Sequence, residues 1–129
     1  MRSKMTSSSE DYLETIYLLQ KKQQNVRVRD IAKEMSVTMP SVSGFLKTLK
    51  KQGLVEHPRY DLVALTPDGT RVAKEVFRKH QVIRTFLSHV LKLDSDIAER
   101  DACRIEHNVS PETIESMTRY LDTVSIPIQ

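Results

Sequence analysis

The sequence predicts a mainly α protein: a winged helix-turn-helix with a two-stranded wing, followed by a second helical domain. Three observations predict it. Apolar residues recur at helical spacing through most of the chain. A pair of short helices joined by the tight turn Ser36-Val37 precedes the one hairpin-like stretch, LVEHPRYDLVALTPDG. Gly and Pro are scarce, three and five among 129 residues, which leaves little room for disordered linkers.

The elements follow in order. Ser7, Ser8 and Ser9 stand where an N-cap is expected, ahead of a helix over about 8–22 with Tyr12, Leu13, Ile16, Tyr17 and Leu19 along one side. Lys21 to Asn25 read as a polar break. A short helix over 28–35 carries Val28, Ile31, Ala32 and Met35. Thr38 caps the next helix, and Pro40 occupies its first turn, where a missing N–H does no harm. That helix runs to about Lys51, and Gly53 ends it. Leu54 to Glu56 and Leu62 to Leu65 read as strands about a turn at Pro58 to Asp61. Thr66 caps a long helix from Pro67 to about Leu91. Residues 95–107 form a fifth helix. Ser110-Pro111-Glu112 opens a sixth that ends near Leu121, and the tail TVSIPIQ is extended. The expected domains are 1–70 and 71–129.

Composition narrows the function classes. Hydrophobic residues at 39% and charged residues at 29% fit a globular protein. A single cysteine excludes an internal disulfide framework and points to a reducing, cytoplasmic setting. No apolar run approaches the roughly 18 residues of a membrane span, and MRSKMTSSSEDY lacks a signal core. Neither a membrane partner nor export is expected. Aromatic residues at 5%, with no Trp, disfavour the base-stacking surfaces of single-strand binders. Of the net charge of +3, all sits in residues 1–70, with 11 Lys/Arg against 8 Asp/Glu; residues 71–129 balance at 9 and 9. The excess suits a half that meets a polyanion, and ordinary solvation accounts for it equally well.

The second helix of the pair is two-faced. Val42, Phe45, Leu46 and Leu49 recur at helical spacing and face a core. Pro40, Ser43, Gly44, Lys47, Thr48 and Lys51 form the opposite face, which is small, polar and basic. A helix entering the major groove needs such a face: small side chains permit approach, hydroxyls and the helix N-terminus bond phosphate, and lysines neutralise charge. A solvated surface helix shares the polarity but leaves Gly44 unexplained, since mid-helix glycine costs about 1 kcal/mol relative to Ala. The hairpin adds His57, Arg59 and Tyr60 for backbone or minor-groove contacts.

Three sets of side chains have metal-binding spacing. Asp11 and Glu14, at i and i+3, share a helix face that also carries Leu18. They read as ligands on a covered face, or as acids near a helix N-terminus, where acids are favoured anyway. Cys103, Glu106 and His107, at i, i+3 and i+4, present a thiol, a carboxylate and an imidazole on one side, and Glu99 continues that stripe. The alternative there is a small buried Cys beside a solvated Glu-His pair. His80 lies among Ala73, Val76, Phe77, Ile83, Leu87 and Leu91. A lone His on such a stripe is more often a core histidine than a ligand, but here other donor sets exist for it to meet. His57 and His89 have no such company.

EDYLETIYLL, the winged segment, the helix bearing His80 and the run DACRIEH together resemble the diphtheria-toxin-repressor and manganese-transport-regulator family, across essentially the whole chain. The resemblance implies a homodimer that binds double-stranded operator DNA when loaded with Mn²⁺ or Fe²⁺ and represses metal-uptake genes. It implies metal ligands at Asp11, Glu14, His80, Cys103, Glu106 and His107. It places Thr38, Pro40, Ser41, Ser43 and Gly44 on recognition-helix positions and makes the second domain the metal-binding and dimerisation domain; Lys47, on the basic helix face, and Arg59, on the hairpin, are further expected DNA contacts. The chain is a hybrid: Asp11 and Glu14 match manganese-type members, whereas Cys103 matches iron-type members. Hard oxygens favour Mn²⁺, and a thiolate favours Fe²⁺, Co²⁺ or Zn²⁺. Arg84 stands where iron-type members carry an acidic ancillary ligand, and the length is that of manganese-type members without the extra SH3-like domain. Gly44 replaces a base-contacting Gln, which leaves base reading to Thr38, Pro40 and DNA shape. The helices over 95–107 and 111–121, with Ile114, Met117 and Leu121, are the expected dimer surface. The competing readings are a winged-helix repressor with a non-metal effector, a helical di-metal enzyme, and a pure interaction module. Catalysis and a small organic substrate are not expected, because every candidate residue is used as a ligand.

Overall fold

In the computed structural model, residues 5–58 and 62–129 are described. Arg59 and Tyr60, expected at the DNA, lie outside the described residues, as does Asp61. The chain divides into two compact units, Met1–Lys74 and Glu75–Gln129.

The first unit holds α1 (Ser7–Lys22), β1 (Val26–Arg27), α2 (Val28–Met35), α3 (Met39–Lys51), β2 (Val55–Glu56), β3 (Leu62–Leu65) and the start of α4 (Pro67–Thr85). Thr6 caps α1, one residue ahead of the expected serines: its hydroxyl accepts from Ser9 N at 3.1 Å. The buried side chains Leu13, Ile16, Ile31, Val42, Leu46 and Leu49 show that the apolar stripes of α1, α2 and α3 all face inward. Tyr12 of α1 stacks on Phe45 of α3 with ring centroids 4.4 Å apart. Ser36 takes the left-handed conformation (φ 57°) that turns α2 into α3, and Val37 N closes the turn on Ala32 O at 3.0 Å.

The sheet has three strands in the order β1-β3-β2, all antiparallel, with Val26 opposite Val63 and Val55 opposite Leu65. The two wing strands are those expected; β1, directly after the polar break, is an addition. The base of the wing is fixed through one carbonyl. Leu54 O accepts from Thr66 N at 3.1 Å, and a Cβ on Gly69 would fall 2.0 Å from the same oxygen. Only glycine lets the first turn of α4 lie there. Thr66 caps α4 as expected, accepting from Gly69 N at 3.0 Å, and donates to Gly53 O at 2.7 Å.

The second unit holds the rest of α4, a π-helical turn (Phe86–Val90), α5 (Ser95–Ile105) and α6 (Pro111–Thr123). The long helix expected to reach Leu91 is therefore α-helical only to Thr85. Leu91 N reaches back to Phe86 O at 3.3 Å, and Lys92 at φ 61° ends the helix. The widened turn brings Phe86 edge-on to Tyr120, ring centroids 5.9 Å apart. One core gathers Val82, Ile83, Leu87, Ala98, Ala102, Ile114 and Leu121. Ala98 and Ala102 give α5 only methyl groups on the side that meets Val82, Ile83 and Leu87. This corrects the expected dimer surface: Ile114 and Leu121 are core residues, and Met117 packs against them. The apolar side chains left bare in this unit are Leu91, Ile97, Tyr120 and Val124. The tail is not simply extended: Val124 and Ser125 turn back on α6, and Gln129 N donates to Thr85 Oγ1 at 3.0 Å.

Candidate metal centre and nucleic-acid interface

The donor cluster of the second unit rises from α4 and the end of α5. His80 is buried on α4. Glu99 and Cys103 lie one turn apart on α5. Glu106 is the C-cap of that helix, still in helical conformation (φ −56°, ψ −27°), so it continues the face, and His107 follows. The spacing read from the sequence thus survives past the end of the helix.

Both ring nitrogens of His80 face carboxylates. Nδ1 lies 3.0 Å from Glu106 Oε2, and Nε2 lies 2.9 Å from Glu99 Oε1. Cys103 Sγ is 3.8 Å from the same Nδ1. Glu106 is 1% exposed, and its second oxygen, Oε1, makes no hydrogen bond among the described residues although His107 Nε2 stands 3.5 Å away. Burial disfavours a charged His80, but the Glu106 and Glu99 carboxylates outweigh it and hold the imidazole above its ordinary pKa. Only an imidazolium donates to both acceptors at once. Burial likewise opposes ionisation of Glu99, yet His80 and Arg84 pull its carboxyl below the usual range.

The cluster offers two imidazoles, a thiol, and a buried carboxylate with an oxygen to spare. That donor set suits a divalent transition ion: nitrogen and sulfur for affinity, carboxylate for charge. Cys103 is exposed, not the small buried cysteine of the alternative reading. The sequence noted Glu99 as part of the stripe but missed its tie to Arg84, whose Nη1 donates to Glu99 Oε2 at 3.2 Å. Nothing in local spacing connects positions 84 and 99, because they meet across two helices. His89 stays outside the donor set, with Nε2 3.3 Å from Gln129 Oε1.

In the first unit Asp11 is half-buried and Glu14 is buried, one turn apart on α1. The recognition face on α3 is as open as its sequence suggests. Thr38, Pro40, Ser41, Gly44, Lys47, Thr48 and Lys51 are exposed, and Ser43 is half-buried. Thr38 caps the helix, its hydroxyl accepting from Ser41 N at 3.3 Å. A Cβ placed on Gly44 meets nothing within 4 Å among the described residues, and none of them requires a glycine there. Two exposed apolar side chains, Val37 and Met39, flank the start of this helix. Neither lies on the Val42-Phe45-Leu46-Leu49 stripe, which is the sequence signal that they stay outside the core.

Two family models cover almost the whole chain. The iron dependent repressor N-terminal DNA binding domain matches residues 4–63, and the iron dependent repressor metal binding and dimerisation domain matches residues 66–126. An uncharacterized HTH-type transcriptional regulator of Methanocaldococcus jannaschii is 34% identical over 119 residues, covering 92% of this chain and 95% of that protein. The transcriptional regulator MntR of Escherichia coli is 37% identical over 111 residues, covering 86% of this chain and 71% of that protein. Among solved structures, the manganese regulator SloR matches with a TM-score of 0.80 at 33% identity, and the IdeR of T. acidophilum with 0.81 at 27%. Each match covers 95% of this chain, which spans only 56% of either of those longer chains. With a DNA-binding half and a metal-binding, dimerising half matched in order, the chain belongs to the iron-dependent repressor family of transcriptional regulators.

Proposed function

We propose that this protein is a cytoplasmic, non-enzymatic repressor that binds operator DNA as a homodimer when loaded with Mn²⁺ or Fe²⁺, and so controls metal-uptake genes. The observation that carries this reading is the buried Glu106 carboxylate, set between His80 and His107 with one oxygen lacking a hydrogen bond. A buried acceptor in that state calls for a cation. The proposed ligands are Asp11, Glu14, His80, Cys103, Glu106 and His107. The bound ion supplies the positive charge that these carboxylates and the Cys103 thiolate lack.

The protein residues do the rest. Asp11 and Glu14 belong to α1, which packs with α2 and α3 in the DNA-binding unit. His80, Cys103, Glu106 and His107 belong to the other unit. Metal binding orders the ligands and so lowers the ordering cost of DNA binding. In a dimer, the two α3 helices then meet successive major grooves about 34 Å apart. Thr38, Pro40, Ser41, Ser43 and Gly44 approach the bases, and Lys47 and Arg59 contact phosphate. The bare apolar side chains of the second unit, Tyr120 and Val124 among them, supply dimer contacts.

A gel-shift titration of an operator fragment tests the reading. Affinity is expected to rise with added Mn²⁺ or Fe²⁺ and to be lost on chelation; the same affinity before and after chelation refutes it.

A further inference from the structure

The two nitrogens of His80 have different company, and the difference assigns them different work. Nδ1 shares its surroundings with Glu106 Oε2 at 3.0 Å and Cys103 Sγ at 3.8 Å, both donors of the proposed centre. Nε2 faces Glu99 Oε1, at 2.9 Å. The other oxygen of Glu99 accepts from Arg84 Nη1 at 3.2 Å. Arg84 is itself held, with Nη2 donating to Gln129 O at 2.5 Å, and Gln129 N donates in turn to Thr85 Oγ1 at 3.0 Å. A chain of hydrogen bonds thus runs from the end of the described tail, through a guanidinium and a carboxylate, to one face of an imidazole.

We infer that Arg84 and Glu99 are positioning residues that keep the proton of His80 on Nε2 and so present Nδ1 to the metal. The inference rests on the reading of His80 as a metal donor. A carboxylate that receives the N–H of a ligating histidine fixes its tautomer and ring orientation and raises its basicity. The rival role for Glu99 is that of a direct ligand. His80, Glu99 and Cys103 do offer donor atoms within 4.8 Å of one another. Against that role, both Glu99 oxygens are engaged, one by an imidazole N–H and one by a guanidinium. An ion taken by Glu99 would displace the Nε2 proton and stand beside the fixed positive charge of Arg84. The Glu99 side chain is also 49% exposed, so its ion pair with Arg84 adds little to stability. Its effect falls on the orientation and basicity of His80.

The test uses the full chain, ¹⁵N-labelled and loaded with ¹¹³Cd²⁺ as a spectroscopic substitute for the native ion. One-bond coupling between cadmium and His80 Nδ1, with a retained proton on Nε2, is expected. Coupling through Nε2 overturns the inference while leaving His80 a ligand. Coupling to neither nitrogen overturns the inference and the donor role of His80 together, whatever the DNA affinity shows. A second measurement follows Mn²⁺ affinity. Glu99→Gln is expected to weaken it roughly 10-fold, within the range for groups behind a ligating histidine, with the number of ions bound per chain unchanged. Arg84→Met weakens it less, and Arg84→Lys restores most of the loss. An unchanged affinity in Glu99→Gln, or one fewer ion per chain, overturns the inference.

Discussion

The recognition helix and the donor cluster are both polar, in opposite ways. On α3 the polar groups are exposed, small or cationic, and hydrogen-bonded to their own helix end, as Thr38 is to Ser41. In the second unit His80 and Glu106 are drawn inward, and acceptors crowd a single imidazole. An exposed donor face asks little of the fold and finds its complement outside the chain. A buried carboxylate such as Glu106 demands positive charge beside it, from a proton or from a metal ion. Under the proposed function, one region sets what the protein binds, and the other sets when.

Four perturbations would break or sharpen that contrast. Glu106→Ala acts on the inner region alone. Mn²⁺ affinity is expected to fall by about 100-fold or more, and operator binding to lose its response to Mn²⁺, as read by calorimetry and gel shift. Low-salt binding to non-specific DNA should stay within about twofold, because it depends on the lysines of the first unit. Gly69→Ala reverses the target. A methyl driven into Leu54 O is expected to cost about 2–3 kcal/mol in urea denaturation, with Mn²⁺ affinity of the folded fraction unchanged.

The third perturbation is pH. The raised pKa of His80 gives the metal-free protein stability that is fully present below pH 6.5 and lost as pH climbs through the higher folded value. The lowered pKa of Glu99 gives stability that is present above pH 4.5 and lost as pH falls through its folded value. Metal-free thermal stability from this pair should therefore be greatest between those limits. Mn²⁺ affinity should instead rise with pH through the His80 transition, by at most about tenfold per pH unit for one displaced proton. A flat affinity profile would mean that His80 releases no proton on loading.

The smallest effect is expected at Gly44. Alanine fits the open space and should raise thermal stability by about 0.5–1 kcal/mol, while the added methyl weakens operator binding. Melting and gel-shift data moving in the same direction would remove α3 from the groove.

Most of the fold was legible because it rests on local rules. The stripes of α1 to α3, the caps at Thr38, Thr66 and Ser110, and the wing strands all follow from spacing and cap chemistry. Helix ends were harder to place. Thr6, rather than Ser7, Ser8 or Ser9, caps α1, and the π turn at Phe86 accompanies an edge-on contact with Tyr120 that local spacing does not show. β1 was missed because two residues carry no period; its pairing with β3 comes from tertiary contact. Ile114 and Leu121 were placed on a partner surface because an apolar stripe on a helix does not say which neighbour covers it. Among the candidate ligands, Cys103, Glu106 and His107 were visible in one helical turn, whereas the separate surroundings of the two His80 nitrogens needed α4 and α5 side by side.

The two alanines beneath the donors, Ala98 and Ala102, carry a consequence for how such a sensor is calibrated. They bind nothing, yet their small volume sets how closely the helix bearing Glu99 and Cys103 lies against the one bearing His80. One added methylene there would push the donors apart by a fraction of an ångström without altering any of them. Under the proposed function, the threshold concentration at which the protein responds is thus adjustable from the hydrophobic interior, and two proteins with identical ligands can answer to different metal levels.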